Sequence, residues 1–314
     1  MMDVVPFDFR VNQNQVKSIL NRALSLLPER YEFREVLGQG GQGIVISCKD
    51  KKLRKPVAIK TSIHGIQSNL QTEYEVMVAA DSCAHLTSVV ELTTVDDVEF
   101  LVMQHLGNDL LKDVMLQPLK RYSPLRTAHV AIEVLSAVKE LHEIGYVHND
   151  IKPSNFAFGL YPDVHGKLYL FDYGLCLRRV DGCPMLPSNR KAYDGRIYGT
   201  LEYASITAQM HQTCTVWDDL QCALYTLIEL FAGSLPWANI VCPRTVLECK
   251  RNLNVDDIVR GKFYPLKRLE EYLRYGDRAS IPDYEGIIKY FKDYATQAAV
   301  KSDAVWDGIF SEED

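Results

Sequence analysis

The sequence contains no apolar run approaching the roughly 20 residues that a membrane-spanning helix needs, and no secretory leader is expected. Its eight cysteines never fall into a Cys-x-x-Cys pair, and none stands with histidine at zinc spacing. That speaks against a zinc module and for reduced thiols in an intracellular protein. Positive charge is also short. Lys and Arg total 35 against 41 Asp and Glu, a net charge of −6, so nothing favours nucleic acid or an anionic membrane in general. Internal repeats and low-complexity tails are missing, and no long regulatory extension is expected. With 47% hydrophobic and 24% charged residues, the chain has the composition of a soluble globular protein.

Against those absences, residues 147–155 stand out: Val-His-Asn-Asp-Ile-Lys-Pro-Ser-Asn. One short loop there carries an aspartate, a lysine and an asparagine, the residue types that phosphoryl transfer requires. Asp150 suits a base for an attacking hydroxyl, Lys152 a neutraliser of the moving charge, and Asn155 a metal ligand.

Upstream, Leu37 to Val45 contains Gly-x-Gly-x-x-Gly at Gly38, Gly40 and Gly43. In a dinucleotide fold this motif opens a helix. Here it lies between the alternating segment Tyr31–Leu37 and the β-branched run Ile44-Val45-Ile46, so a hairpin turn is expected. Glycine there lets backbone amides approach phosphate oxygens. The same residues also suit an ordinary hairpin. Val57-Ala58-Ile59-Lys60 follows as a strand ending in lysine. Lys60 suits a ligand of the α- and β-phosphates, although strand lysines are often solvated edge charges. A helix from Leu70 would put Leu70, Glu73 and Met77 on one face, which makes Glu73, rather than Glu75, the partner of Lys60.

Val98–Met103 reads as a further strand that runs into Gln104-His105-Leu106-Gly107. As a hinge, this stretch would offer backbone groups of Gln104 and Leu106 to an adenine edge, with Met103 behind. A plain strand-to-loop exit fits equally well. From Ser123-Pro124 the period becomes helical, with Ala131, Val134, Leu135, Val138 and Leu141 as the stripe and Gly145 as the stop. The strand Lys167–Phe171 then leads to Asp172-Tyr173-Gly174. A carboxylate at the end of a buried strand needs compensation, and Mg²⁺ would supply it. Asp172 also suits a simple turn former.

Taken together, these motifs resemble a eukaryotic protein kinase over about residues 31–310. Gly199-Thr200-Leu201-Glu202-Tyr203-Ala204-Ser205-Ile206 replaces the usual Ala-Pro-Glu, which is similar to the casein kinase I superfamily. So are Asp218-Asp219-Leu220, Gly233-Ser234-Leu235-Pro236-Trp237 and Ile281-Pro282-Asp283-Tyr284-Glu285. Ser154–Gly159 looks closest to the tau-tubulin kinase branch, and other details resemble vaccinia-related kinases. The resemblance implies an α+β fold of two lobes: an antiparallel β small lobe with one helix (31–106) and a mainly helical large lobe (107–310). A 1–30 extension would precede them and a 311–314 tail would follow. It implies ATP and Mg²⁺ as cofactors, and a cofactor-binding set of Leu37, Gly38, Gly40, Gly43, Val45, Ala58, Lys60, Met103, Gln104, Leu106, Asn155 and Asp172. Asn155 and Asp172 would hold the metal. The catalytic set would be Asp150, Lys152, Lys60, Glu73 and Thr200, with Thr200 bonding Asp150 and Lys152. Asp219 would brace the catalytic loop from a central helix, Leu220–Phe231. Protein substrates with Ser/Thr acceptors are the implied partners, and a cytoplasmic monomer, with the nucleus as a second location, is expected. The alternative is a pseudokinase scaffold.

Three positions depart from the pattern. Asn149 replaces the arginine that elsewhere meets a phosphorylated activation segment, so activity without such a phosphate is expected. Glu202 stands where casein kinase I enzymes carry an anion-pocket arginine, which puts preference for primed substrates in doubt. Gln42 replaces an aromatic loop tip, which implies a looser phosphate cover. The 178–196 segment is locally basic through Arg178, Arg179, Arg190, Lys191 and Arg196. It suits acidic substrates or an ordinary solvated loop. Before the core, Ile19, Leu20, Ala23 and Leu27 form one helical face expected to pack on the domain.

Overall fold

The computed structural model describes residues 13–40, 43–63, 69–161, 166–180, 183–184 and 199–309. Helix α1 (Gln13–Ser25) comes first. The small lobe then builds one antiparallel sheet from β1 (Tyr31–Gly40), β2 (Gly43–Asp50) and β3 (Lys55–Ile63), followed after helix α2 (Leu70–Ala79) by β4 (Val89–Val95) and β5 (Val98–Gln104). The strand order is β1-β2-β3-β5-β4. Alternation along the strands gives the sheet two apolar faces. One face, with Ile44, Ile46, Val57, Ile59, Phe100 and Val102, is covered by Ile19, Leu20, Ala23, Leu24 and Leu27 of and just after α1. The face of α1 read from periodicity therefore closes the outer side of the sheet. The other face, with Ala58, Leu101 and Met103, joins Leu70, Val76 and Met77 of α2 and runs into the core of the large lobe.

β6 (Leu106–Asp109) continues directly from the Gln104–Gly107 stretch, which reads as a loop in the sequence. It becomes a strand because it pairs with β8, and such a partner is invisible locally. Helices α3 (Leu110–Leu116) and α4 (Pro124–Glu143) follow. Ser123 caps α4 by accepting from the Arg126 N–H at 3.2 Å, with Pro124 in its first turn. All five apolar stripe residues of α4 are buried. β7 (Tyr146–Val147), β8 (Phe156–Gly159), β9 (Leu168–Leu170), β10 (Leu177–Val180) and β11 (Cys183–Pro184) frame the loops beneath the sheet. β7 pairs with β10, and β8 pairs with β6 and β9.

The rest is helical: α5 (Ile206–Gln209), α6 (Val216–Ala232), α7 (Pro243–Arg251), α8 (Val255–Val259), α9 (Tyr264–Tyr275) and α10 (Tyr284–Ile309). α6 extends the expected Leu220–Phe231 helix by four residues at its start, because Thr215 and Asp218 form a reciprocal capping box. It is buried on nearly every side, which fixes Asp219 inside the lobe.

Candidate active site

The β1–β2 hairpin closes with Gly40 opposite Gly43. Gly43 has φ +129°, and a Cβ there would lie 2.2 Å from the Thr61 carbonyl oxygen, so no side chain fits. Gly41 and Gln42, including the departure at the loop tip, lie outside the described residues. Below the hairpin opens a cleft of about 570 Å³. Leu37, Gly38, Gly43, Val45, Ala58 and Met103 line its upper part, and Ala58 and Met103 are register partners across β3 and β5. Gln104 and Leu106 line its back edge. Their backbones are partly committed: the Gln104 N–H donates to Ser88 O at 3.0 Å, and His105 Nδ1 donates to Leu106 O at 2.9 Å.

On the cleft floor three distant segments meet. Lys60 Nζ lies 2.6 Å from Glu73 Oε1 and 2.8 Å from Asp172 Oδ1. The lysine is 6% exposed and Glu73 1%, whereas the Asp172 side chain keeps 30% of its surface open. Burial would lower the Lys60 ammonium, but Asp172 and Glu73 outweigh it and hold the group above its ordinary value. One ammonium donates to both carboxylates but balances only one negative charge. Burial pushes Glu73 up to about 7, with Lys60 opposing and Asp172 adding to the rise. Burial also acts to raise Asp172, but Lys60 prevails and its carboxyl sits below the usual range. Asp172, the most open of the three, is the carboxylate whose ionised form Lys60 favours against burial.

The 147–155 loop is anchored by Asp219. Its Oδ2 accepts the His148 N–H at 2.6 Å, and its Oδ1 accepts the Asn149 N–H at 2.9 Å. Asn149 has φ +65°, a left-handed conformation that asparagine tolerates better than arginine. Its amide donates to Leu175 O at 3.0 Å, just past Asp172. Asp150 then faces the cleft. Lys152 Nζ donates to Asp150 Oδ2 at 2.6 Å and to Thr200 Oγ1 at 2.9 Å. The Thr200 N–H and hydroxyl both donate to Asp150 Oδ1, at 2.9 and 3.0 Å. Asn155 Nδ2 donates to Asp150 O at 2.8 Å, which leaves its Oδ1 as the lone-pair donor.

Asp172 and Asn155 are two oxygen donors lining one cleft, and no group of three or more metal-ligating side chains occurs among the described residues. That set fits Mg²⁺, which binds through one or two protein oxygens and completes its shell with phosphates and water. The donors are too few and too hard for a protein-caged zinc.

The family-model comparison matches residues 31–255 to the protein kinase domain. The chain belongs to the protein kinase family. Among relatives, it is 28% identical over 287 residues to a Dictyostelium discoideum protein described as a probable serine/threonine-protein kinase, covering 90% of this chain and 57% of that one. It is 34% identical over 186 residues to the casein kinase 1-like protein HD16 of rice (58% and 26% covered). The casein kinase I homolog RAG8 of Kluyveromyces lactis is 25% identical over 290 residues (88% and 53% covered). The chain therefore spans little more than half of these relatives' lengths at most.

Other residues that shape the site were not apparent in the sequence. His148 is buried, with Nδ1 accepting from the Asp150 N–H at 3.2 Å and Nε2 directed to Phe171 O at 3.2 Å. His142 links Asp219 (2.9 Å) to the Tyr284 hydroxyl (2.5 Å), which gives the Ile281–Glu285 motif a structural role. Only a helix-period count could have flagged His142, as a polar residue on the buried stripe of α4. Of the basic 178–196 segment, Arg190, Lys191 and Arg196 lie outside the described residues, as do Pro187-Ser188-Asn189 and the tail 311–314.

Proposed function

We propose that this chain is an active, ATP-dependent serine/threonine protein kinase of casein kinase I type, nearest in character to the tau-tubulin kinase branch. The observation that carries the proposal is the convergence of Lys60, Asp172 and Asp150 on one open cleft, with the lysine already paired to Glu73. A scaffold module would have no need of a lysine-paired carboxylate opening into that cleft.

In this reading the Gln104 carbonyl and the Leu106 N–H, the two hinge groups outside the bonds described above, take the adenine edge. Lys60 holds the α- and β-phosphates. Asp172 and the Asn155 carbonyl oxygen hold Mg²⁺, which supplies charge neutralisation at the phosphates. Asp150 orients the acceptor hydroxyl and receives its proton, while Lys152 stabilises charge on the moving phosphoryl group. Thr200, bonded to both, places the peptide side of the reaction against Asp150.

Asn149 extends the proposal to regulation. Its neutral amide already bridges to Leu175 O, so the segment after Asp172 is held without an arginine awaiting phosphate. The test is transfer of labelled phosphate from ATP to casein with Mg²⁺, using phosphatase-treated protein and Asp172→Asn and Lys60→Arg controls. Incorporation abolished in both controls is the expected result. Nucleotide binding without incorporation would sink the proposal in favour of a binding module.

A further inference from the structure

Lys250 of α7 is 3% exposed, and no carboxylate lies within ion-pair reach of it among the described residues. Its Nζ donates to the carbonyls of Leu201 (2.8 Å) and Ala204 (2.7 Å). Around it stand the faces of Tyr225 and Trp237, with Nζ 5.2 and 5.4 Å from the ring centroids. Trp237 Nε1 donates in turn to the Glu202 carbonyl at 2.7 Å. Three carbonyls of one short turn are therefore held from below by two side chains of the large lobe. That turn begins at Thr200, whose carbonyl accepts the Tyr203 and Ala204 N–H groups at 2.9 and 2.8 Å.

We infer that Lys250 is a positioning residue for the phosphoryl acceptor: by donating to Leu201 and Ala204 it fixes the turn that sets Thr200 against Asp150. The chemistry favours this over simple space filling. An apolar residue would fill the volume between the rings at lower desolvation cost, yet would leave two buried carbonyls without donors. Burial draws the lysine down to about 7, against Cys222 and Glu202. Either protonation state keeps at least two N–H groups, enough for both carbonyls. Lys250 touches no part of the nucleotide cleft, so its influence is confined to the acceptor side.

The inference rests on the kinase reading, and its test separates the two. Lys250→Met and Lys250→Arg are compared with the parent by amide hydrogen exchange of the 200–204 turn, by ATP affinity, and by kcat for peptide transfer. In Lys250→Met the turn should exchange faster, and peptide kcat should fall by about tenfold to a hundredfold while ATP affinity changes less than about twofold. Lys250→Arg, which keeps donors at this point, should retain turn protection and most of kcat. Unchanged turn protection in Lys250→Met overturns the inference whether or not the parent transfers phosphate. So does ATP affinity falling in step with kcat, or an arginine variant as impaired as the methionine one. If Lys250→Met does not fold, the arginine variant decides by the same readouts. A parent without transfer counts against the kinase reading alone, and the exchange data then decide for Lys250.

Discussion

Asn69 donates from Nδ2 to the Gly174 carbonyl at 2.7 Å. Asn69 is the residue preceding α2, a place where asparagine usually caps the helix, yet its side chain makes no cap bond here. The amide is spent instead on the residue two beyond Asp172. α2 carries Glu73, so one bond ties the helix holding the Lys60 partner to the strand exit holding Asp172. Asn69→Ala removes this tie without removing a cap. The expected loss is about 1 kcal/mol of stability. Peptide transfer should slow by about fivefold as the Lys60–Glu73–Asp172 arrangement loses population. Chemical denaturation and steady-state rates on the same preparation check both.

Gly199 makes a sharper prediction. Its φ is +88°, and a Cβ would lie 2.6 Å from Asn149 O and 3.2 Å from Asp150 Oδ1. Alanine there adds about 1–2 kcal/mol of backbone strain and forces either Asp150 or Thr200 to move. Gly199→Ala should therefore cut kcat by about a hundredfold or more. ATP affinity, which the proposed function assigns to Lys60 and the hinge, should hold. Equilibrium nucleotide binding beside a transfer assay distinguishes the two.

Asp219 receives two backbone N–H groups and one imidazole while 1% exposed. Asp219→Asn can match only one oxygen and turns an NH₂ toward a donor. The expected cost is about 3 kcal/mol or more in unfolding free energy, read from denaturant titration, with transfer reduced because His148 and Asn149 lose their anchor.

Residues that bear chemistry within one loop or one helical face were legible in the sequence. Asp150, Lys152 and Asn155 share nine residues. Leu70, Glu73 and Met77 follow helical spacing, and all are buried as the spacing implies. Bonds from a side chain to a remote backbone carbonyl were not legible. Gly174 accepts from Asn69 across 105 positions, and Ala204 from Lys250 across 46. A carbonyl is the same at every residue, so the accepting side leaves no mark in composition. β6 is a parallel case, because its strand character comes from β8 rather than from its own Leu-Gly-Asn-Asp. Thr200 lay between these extremes: only resemblance pointed to it, and the structure sets its hydroxyl between Lys152 and Asp150.

His148 gives the pH dependence its sign. With Nδ1 accepting from Asp150 N–H and Nε2 facing the Phe171 carbonyl, the ring is the neutral tautomer protonated at Nε2. Burial holds it below the ordinary value of 6.5, against the pull of Asp219, Asp150 and Asp172. A depressed folded-state value means that the unfolded chain binds a proton the fold refuses. Stability from this group is therefore complete above 6.5 and is lost as pH falls through the folded-state value. Protonation would also convert Nδ1 from acceptor to donor, facing the Asp150 N–H directly. The melting temperature of the parent should fall between about pH 7 and about pH 5, and His148→Asn, which offers an amide oxygen in place of Nδ1 and does not titrate, should show a shallower fall. Equal slopes in parent and variant would remove His148 from the account and leave the carboxylates to explain the acid limb.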